Sequence, residues 1–217
     1  IEIKDNSILK SIIIQKTKSK GYFYKSVVGS QGYNSSYQNF ILSTGLEFNK
    51  IDQNISLLKE NGNCFILSGL CLGENEHQEI KTQINHLAPN CKSYQKIKNV
   101  LDGDSNGIYQ GKIFVKDIAQ KTDAYQLSKA LLLDDKSEFN AKPELEIYAD
   151  DVKCSHGSTS GSIDADAIHY LMTRGIKPSE AKKLLITGFL NEIFDNIPEQ
   201  KIKNFLTKTV KEQINGV

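Results

Sequence analysis

The feature that most constrains this chain is its punctuation. From Ile1 to about Gly157, short β-branched or alternating apolar runs recur, separated by Gly, Asn and Asp. Ser11–Ile14 "SIII", Phe40–Leu42 "FIL", Phe65–Leu67 "FIL", Lys112–Val115 "KIFV" and Glu144–Tyr148 "ELEIY" are strand-length, and turn signals such as "DGDSNG" at Asp102–Gly107 fall between them. Successive side chains of a strand point to opposite faces, so short runs with such breaks read as β-structure. No sustained helical period crosses this region. Lys50–Glu60 "KIDQNISLLKE" suits a short helix and a loop-strand equally well.

A weak internal echo narrows the choice. "SYQKIKNVL" at Ser93–Leu101 matches "AYQLSKALL" at Ala124–Leu132, with Tyr94 aligned on Tyr125, and "SYQNFIL" at Ser36–Leu42 is a fainter copy. Recurring strand-length units suit a β-solenoid, in which each coil stacks only on its neighbours. A β-sandwich is the rival architecture.

After Gly161 the pattern changes. Asp164 is placed to cap a helix over "ADAIHYLMTRG", with Gly175 as its stop. Pro178 and Ser179 open "EAKKLLITGFLNEIF", where Ala181, Leu184, Leu185, Phe189 and Ile193 recur at helical spacing. Pro198 opens a third helix, with Ile202, Phe205, Leu206 and Val210 as its apolar face. Three such helices, carrying Phe189, Phe194 and Phe205, must pack on each other, on the β body or on a partner.

Composition limits the function classes. The 217 residues suffice for one large domain or two modest ones, and a formal net charge of +1 argues for neither nucleic acid nor an anionic membrane. The longest apolar run, Cys64–Leu72 "CFILSGLCL", is too short for a bilayer, which needs about 20 residues. The chain opens on Ile1 rather than Met and is read as a fragment or a processed chain. Four cysteines without a CxxC form no disulfide framework in a chain of this length. Cys64, Cys71 and Cys91 read as small buried hydrophobes, and a reducing cytosol or organelle stroma fits.

One short motif carries chemistry. Cys154-x-His156 lies in "ADDVKCSHGSTSG" at Ala149–Gly161. If Glu144–His156 is extended, the two side chains leave one face about 7 Å apart along the strand. A thiolate and an imidazole so placed reach one soft metal or one sulfur-bearing group. Two donors do not complete a site, so the rest would come from His86, Cys91 or another chain. The alternative is a buried cysteine beside a strand-end histidine that caps a backbone carbonyl.

Other motifs fall short. "GSTSG" at Gly157–Gly161 has Thr159 where a nucleophile elbow needs serine, and is read as a flexible junction. "GIYQGK" at Gly107–Lys112 lacks the spacing and the Ser or Thr of a phosphate loop. His86 and Cys91 in "INHLAPNCKS" would share a site only across a bend at Pro89. Asp150, Asp151 and "DDKSEF" read as solvated turn charges, and His77 and His169 as surface residues. No carboxylate set suited to a polysaccharide-cleaving β-helix can be located.

At this point a resemblance enters. "AQKTDAYQ" at Ala119–Gln126, "KPELEIYADDVKCSHG" at Lys142–Gly157 and "YLMTRGI" at Tyr170–Ile176 closely resemble the SufD branch of the SufB/SufD superfamily, which serves iron–sulfur cluster assembly in the SUF system. "HLAPNCKS" and "CSHG" favour that branch over SufB. The similarity is strong from about His86 to Phe189 and weaker before Glu79.

The resemblance implies a mainly β fold: a right-handed parallel β-helix over 1–160, followed by a small C-terminal α-helical domain over 161–217. It implies a non-enzymatic scaffold that pairs with a SufB-like paralogue, or with a second copy of itself where that paralogue is absent. It implies an ABC-type ATPase, SufC, docked on the C-terminal helices through Tyr170, Leu171, Arg174, Leu184, Leu185 and Phe189. Cys154 and His156 become the expected donors to iron, sulfur or a nascent cluster, with SufB completing the set and nothing tightly bound by the chain alone. Bacterial cytoplasm or plastid stroma follows. A purely structural adaptor without iron or sulfur contact is the alternative.

Overall fold

The computed structural model describes residues 1–17, 20–195, 197 and 199–215, the side chains of Gln213 and Asn215 excepted. Its strands are β1 (Glu2–Ile3), β2 (Ile8–Gln15), β3 (Tyr22–Gln31), β4 (Ser36–Thr44), β5 (Phe48–Leu57), β6 (Asn63–Leu72), β7 (His77–His86), β8 (Lys92–Leu101), β9 (Asn106–Val115), β10 (Asp123–Leu132), β11 (Glu138–Ile147) and β12 (Lys153–Ser162). The helices α1 (Ala165–Thr173), α2 (Pro178–Asn191) and α3 (Gln200–Asn215) follow, with a 3-10 turn at Glu192–Phe194 between the last two.

The odd strands form one six-stranded sheet and the even strands the other, ordered β1-β3-β5-β7-β9-β11 and β12-β10-β8-β6-β4-β2. Every pairing is parallel. The chain thus crosses from one sheet to the other at each turn and climbs one strand spacing per coil. This is the β-solenoid, and the sandwich is ruled out. Lys50–Glu60 is settled as well, since Phe48–Leu57 is strand β5.

One turn shows how the sequence drives the climb. The first five odd-to-even crossings each hold a residue at positive φ: Asn6, Asn34, Asn61, Asn90 and Lys121, between 49° and 61°. Asn tolerates the left-handed region because its short amide bonds locally. The turns stack, each donating its N–H to the next turn's carbonyl: Asn6 to Tyr33, Asn34 to Glu60, Asn61 to Pro89, Asn90 to Gln120 and Lys121 to Asp151.

Inward-facing residues fill the space between the sheets. Ile41, Ile51, Ile55, Ile66, Leu70, Ile84 and Ile97 form the main core. The even sheet is apolar outside as well. There Phe40, Leu42, Leu67, Cys71 and Val100 meet Ile186, Leu190, Ile193, Phe194, Leu206, Val210 and Ile214 of the helical segment. This explains the unbroken run Cys64–Leu72: β6 is covered on both faces, so its burial hardly alternates. Gly69 permits the close approach, because a Cβ there would stand 3.0 Å from Ile193 Cδ1 and 3.2 Å from Leu42 Cδ2.

The helices therefore pack on the β body. Of the face predicted for α2, Ala181 is buried, Leu185 and Phe189 are half-buried, and Leu184 is exposed; Ile186 and Leu190 carry the rest of the contact. In α3 Leu206 and Val210 are buried and Phe205 is half-exposed. Pro198, predicted to open that helix, lies outside the described residues. A lysine clamp fixes the end of α2. Lys98 is wholly buried on the outer face of β8, pairs with Glu192, donates 2.6 Å to the Phe189 carbonyl and lies 4.2 Å over the Phe189 ring. Lys96 donates to the Glu192 carbonyl. Cations at a helix C-terminus satisfy its free carbonyls and oppose its dipole. Burial pulls the Lys98 pKa down, and Glu192 pulls it back up.

Helix α1 begins as predicted, with the Asp164 carboxylate accepting from the backbone of Asp166 and Ala167. Gly175 follows its end at φ +84°. None of its residues is buried.

Candidate functional site

The site builds up at the C-terminal end of the solenoid, where β11 and β12 are the last strands of their sheets. The extended segment predicted over Glu144–His156 is broken. β11 ends at Ile147, the chain turns, and β12 starts at Lys153 in the opposite sheet. The prediction holds where it matters, because Cys154 and His156 both lie in β12. The supposed flexible junction Gly157–Gly161 is strand too, in register with Leu127–Leu131 of β10. Hydrogen bonding to β10 orders it despite its glycines and serines.

Register fixes where the two side chains point. Cys154 stands over Ala124 and His156 over Gln126, both wholly buried inward positions of β10. Thiol and imidazole therefore share the inward face of the terminal strand, about 7 Å apart along it. The columns beneath them run Tyr37–Cys64–Ser93–Ala124 and Asn39–Ile66–Gln95–Gln126. Ser158, Ser160 and Ser162 continue the inward row of β12 beyond His156. All but Cys154 in this row are exposed, since no further coil lies above them.

Cys154 is half-buried against Ile113, Val115, Ala119 and Ala124. Burial pushes its pKa up; a backbone hydrogen bond from Ala124 lowers it and the Asp123 carboxylate raises it. It rests as a thiol that a metal would deprotonate on binding. His156 has no hydrogen bond or ion pair among the described residues, so both ring nitrogens are open to a ligand.

The other candidate donors stay apart from this site. His86 is buried inside the solenoid, with Nε2 2.9 Å from Ser93 Oγ and Nδ1 unpartnered. Cys91 is buried in a turn, its thiol donating to the Lys59 carbonyl at 3.3 Å. Cys64 and Cys71 are buried, as their reading as hydrophobes requires, and no disulfide is formed. Among the described residues no cluster of three or more His, Cys, Asp or Glu is disposed to hold a metal ion. The chain thus offers two soft donors at an open end. A thiol and an imidazole suit a soft or borderline metal ion, which usually takes about four ligands.

The residues expected to dock a partner lie on the helices. Tyr170 and Arg174 are exposed at the end of α1, with the guanidinium 5.3 Å from the ring centroid. Leu184 is 54 % exposed, and Leu171 and Leu185 are half-buried. Phe189 packs into the layer between helix and sheet under Lys98. Lys96 and Lys98, which fix that layer, went unnoticed in the sequence; their i, i+2 spacing on an otherwise apolar strand face was the available signal. Among the described residues no helix is long and apolar enough to cross a membrane.

The architecture is thus a two-sheet parallel solenoid with a thiol–imidazole pair on its terminal strand and a helical layer on one flank. A family model described as "SUF system FeS cluster assembly, SufBD core domain" matches residues 1–189, and the chain belongs to that SufB/SufD family. It is 30 % identical over 210 residues to an iron–sulfur cluster assembly SufBD family protein of Synechocystis, covering 97 % of this chain and 46 % of the relative. It is 34 % identical over 143 residues to the iron–sulfur cluster assembly protein SufD of Escherichia coli, covering 66 % of this chain and 34 % of that protein. It is 28 % identical over 213 residues to protein ABCI7, chloroplastic, of Arabidopsis thaliana, covering 97 % of this chain and 45 % of the relative. The chain spans less than half the length of these relatives.

Proposed function

We propose that this protein is a non-enzymatic scaffold subunit for iron–sulfur cluster assembly, on which iron or a nascent cluster is held between its own terminal coil and a SufB-like paralogue. The observation that carries this reading is the shared inward face of Cys154 and His156 on an uncovered edge strand. An open edge presents unpaired N–H and C=O groups that a second chain's strand satisfies. That pairing brings the partner's side chains over the two donors. Neutral imidazole and thiolate then contribute two ligands, and the paralogue supplies the others. A second copy of this chain takes the same place when the paralogue is absent.

The exposed faces of α1 and α2, with Tyr170, Leu171, Arg174 and Leu184, take an ABC-type ATPase such as SufC. α1 is joined to β12 by Ile163 and Asp164 alone, so nucleotide-driven movement of that partner reaches the site strand directly. Bacterial and chloroplastic relatives support bacterial cytoplasm or plastid stroma as its location.

The test is co-purification with a SufB-like paralogue and SufC, followed by anaerobic iron and sulfide analysis. Cys154→Ser with His156→Ala is expected to abolish iron and sulfide retention while leaving the complex assembled. Unchanged retention removes both residues from the site. A second reading, a structural adaptor without iron contact, draws on the half-burial of Cys154 against Ala124 and Ala149. Thiol labelling in the complex separates the two: ATP-dependent labelling supports the scaffold, and nucleotide-independent protection the adaptor.

A further inference from the structure

Beneath His156 the solenoid interior is polar and tightly built. Gln126 and Tyr109 face each other across the penultimate coil, both buried. The Tyr109 hydroxyl stands 3.3 Å from Gln126 Oε1, from Gln95 Oε1 of the coil below and from Thr82 Oγ1. Gln126 Nε2 donates to the Gly111 carbonyl at 3.4 Å. Residue 111 must lack a side chain for this arrangement to exist, since a Cβ there would come within 2.3 Å of both Gln126 Oε1 and the Tyr109 hydroxyl. Burial pushes the Tyr109 pKa up to about 12, so the phenol keeps its proton.

That proton serves only one of the two amide oxygens it faces. Gln126 Oε1 has a second lone pair, and among the described residues its hydrogen-bond partner is the Tyr109 hydroxyl alone. The coil above changes in a matching way. Ala141 stands in register over Tyr109, so the bulk of a phenol is replaced by a methyl group. Beside the space so left, and about 4.8 Å above Gln126, is His156. In the structure the imidazole is exposed and makes no hydrogen bond among the described residues; turned inward over Ala141, it would reach the Gln126 oxygen.

We propose that Gln126 is the positioning residue for His156: its amide oxygen accepts one imidazole N–H and leaves the other ring nitrogen unprotonated, facing the open end. The inference rests on the reading of His156 as an iron donor, because histidines that bind metals almost always donate their second N–H to a fixed acceptor. Tyr109 and Gly111 hold that acceptor still. No bond is made or broken; the network selects a tautomer before any iron arrives.

The experiment reads the tautomer directly. The chain, labelled with nitrogen-15 histidine, is examined by NMR at pH 8 without metal. A single predominant His156 tautomer is expected, collapsing in Gln126→Met to the mixture shown by exposed His169. Ser128→Ala, which removes the neighbouring buried hydroxyl that donates to Ser158, leaves the tautomer unchanged. In the complex, Gln126→Met lowers iron affinity roughly 10- to 100-fold. A wild-type His156 that shows the same mixture as His169 overturns the proposal, and that measurement needs no variant to fold. Failure of the iron-donor reading has a separate signature, unchanged iron retention in His156→Ala, whatever the tautomer.

Discussion

The buried imidazole of His86 gives the solenoid a pH dependence of calculable size. Burial holds its pKa down at about 4, and the ordinary value of 6.5 applies once the chain unfolds. Below 6.5 the unfolded chain binds a proton that the folded chain refuses. Stability from this group is thus complete above the unfolded value and falls as pH drops toward the folded one. Between pH 7.5 and pH 5 the loss is about 2 kcal/mol, and it reaches about 3 kcal/mol once both states are protonated. The environment explains why folding excludes the proton: one ring nitrogen contacts Ser93 Oγ, and among the described residues the other has no partner and no carboxylate is hydrogen-bonded to the ring. Urea unfolding at the two pH values measures the effect. Circular dichroism and tyrosine fluorescence serve as probes, because the chain has no Trp and nine Tyr, and coincident transitions license the comparison. In His86→Gln this part of the pH dependence disappears, while contributions common to both proteins cancel. Parallel losses of stability in the two proteins would refute the argument.

Two further changes test the frame. Lys98→Ala removes the buried cation and the partner of the Phe189 carbonyl, and is expected to destabilise the protein by about 2–4 kcal/mol; Lys98→Met, which refills the volume, loses less, and hydrogen exchange locates the damage in α2 and α3. Lys121→Asn places at φ +59° the residue used at the four equivalent turns, and a gain of about 0.5–1 kcal/mol in urea unfolding is expected.

The solenoid was legible in the sequence because its strands are short and its turns carry Gly, Asn and Asp. The alignment of Tyr94 with Tyr125 is real register, and the two rings stack 5.5 Å apart. The repeat was faint because coils conserve the direction of a side chain more than its identity. One inward column reads Tyr37, Cys64, Ser93, Ala124, Cys154. The better repeat was the left-handed residue at positions 6, 34, 61, 90 and 121, hidden at the last by lysine. For the site, i, i+2 spacing predicted that Cys154 and His156 share a face. It did not predict that the strand would be the outermost of its sheet, which follows from long-range register. The residues under His156 were equally out of reach: Tyr109, Gly111 and Gln126 belong to two strands and meet only because the coil closes. The helical segment divides its apolar period between two surfaces. Leu184 fits the apolar period yet is exposed, because the sheet accepts the face centred on Ile186 and Leu190 instead.

The terminal coil also limits what assemblies this molecule forms. A stack of parallel strands has a direction, so its two ends differ. If an end meets the opposite end of another molecule, the contact is heterologous and grows as a filament or closes as a ring. If two like ends meet, their outer strands run antiparallel, each edge satisfies the other, and the assembly closes at two members. A subunit that carries its thiol and imidazole on that end brings two such pairs face to face only in the second arrangement.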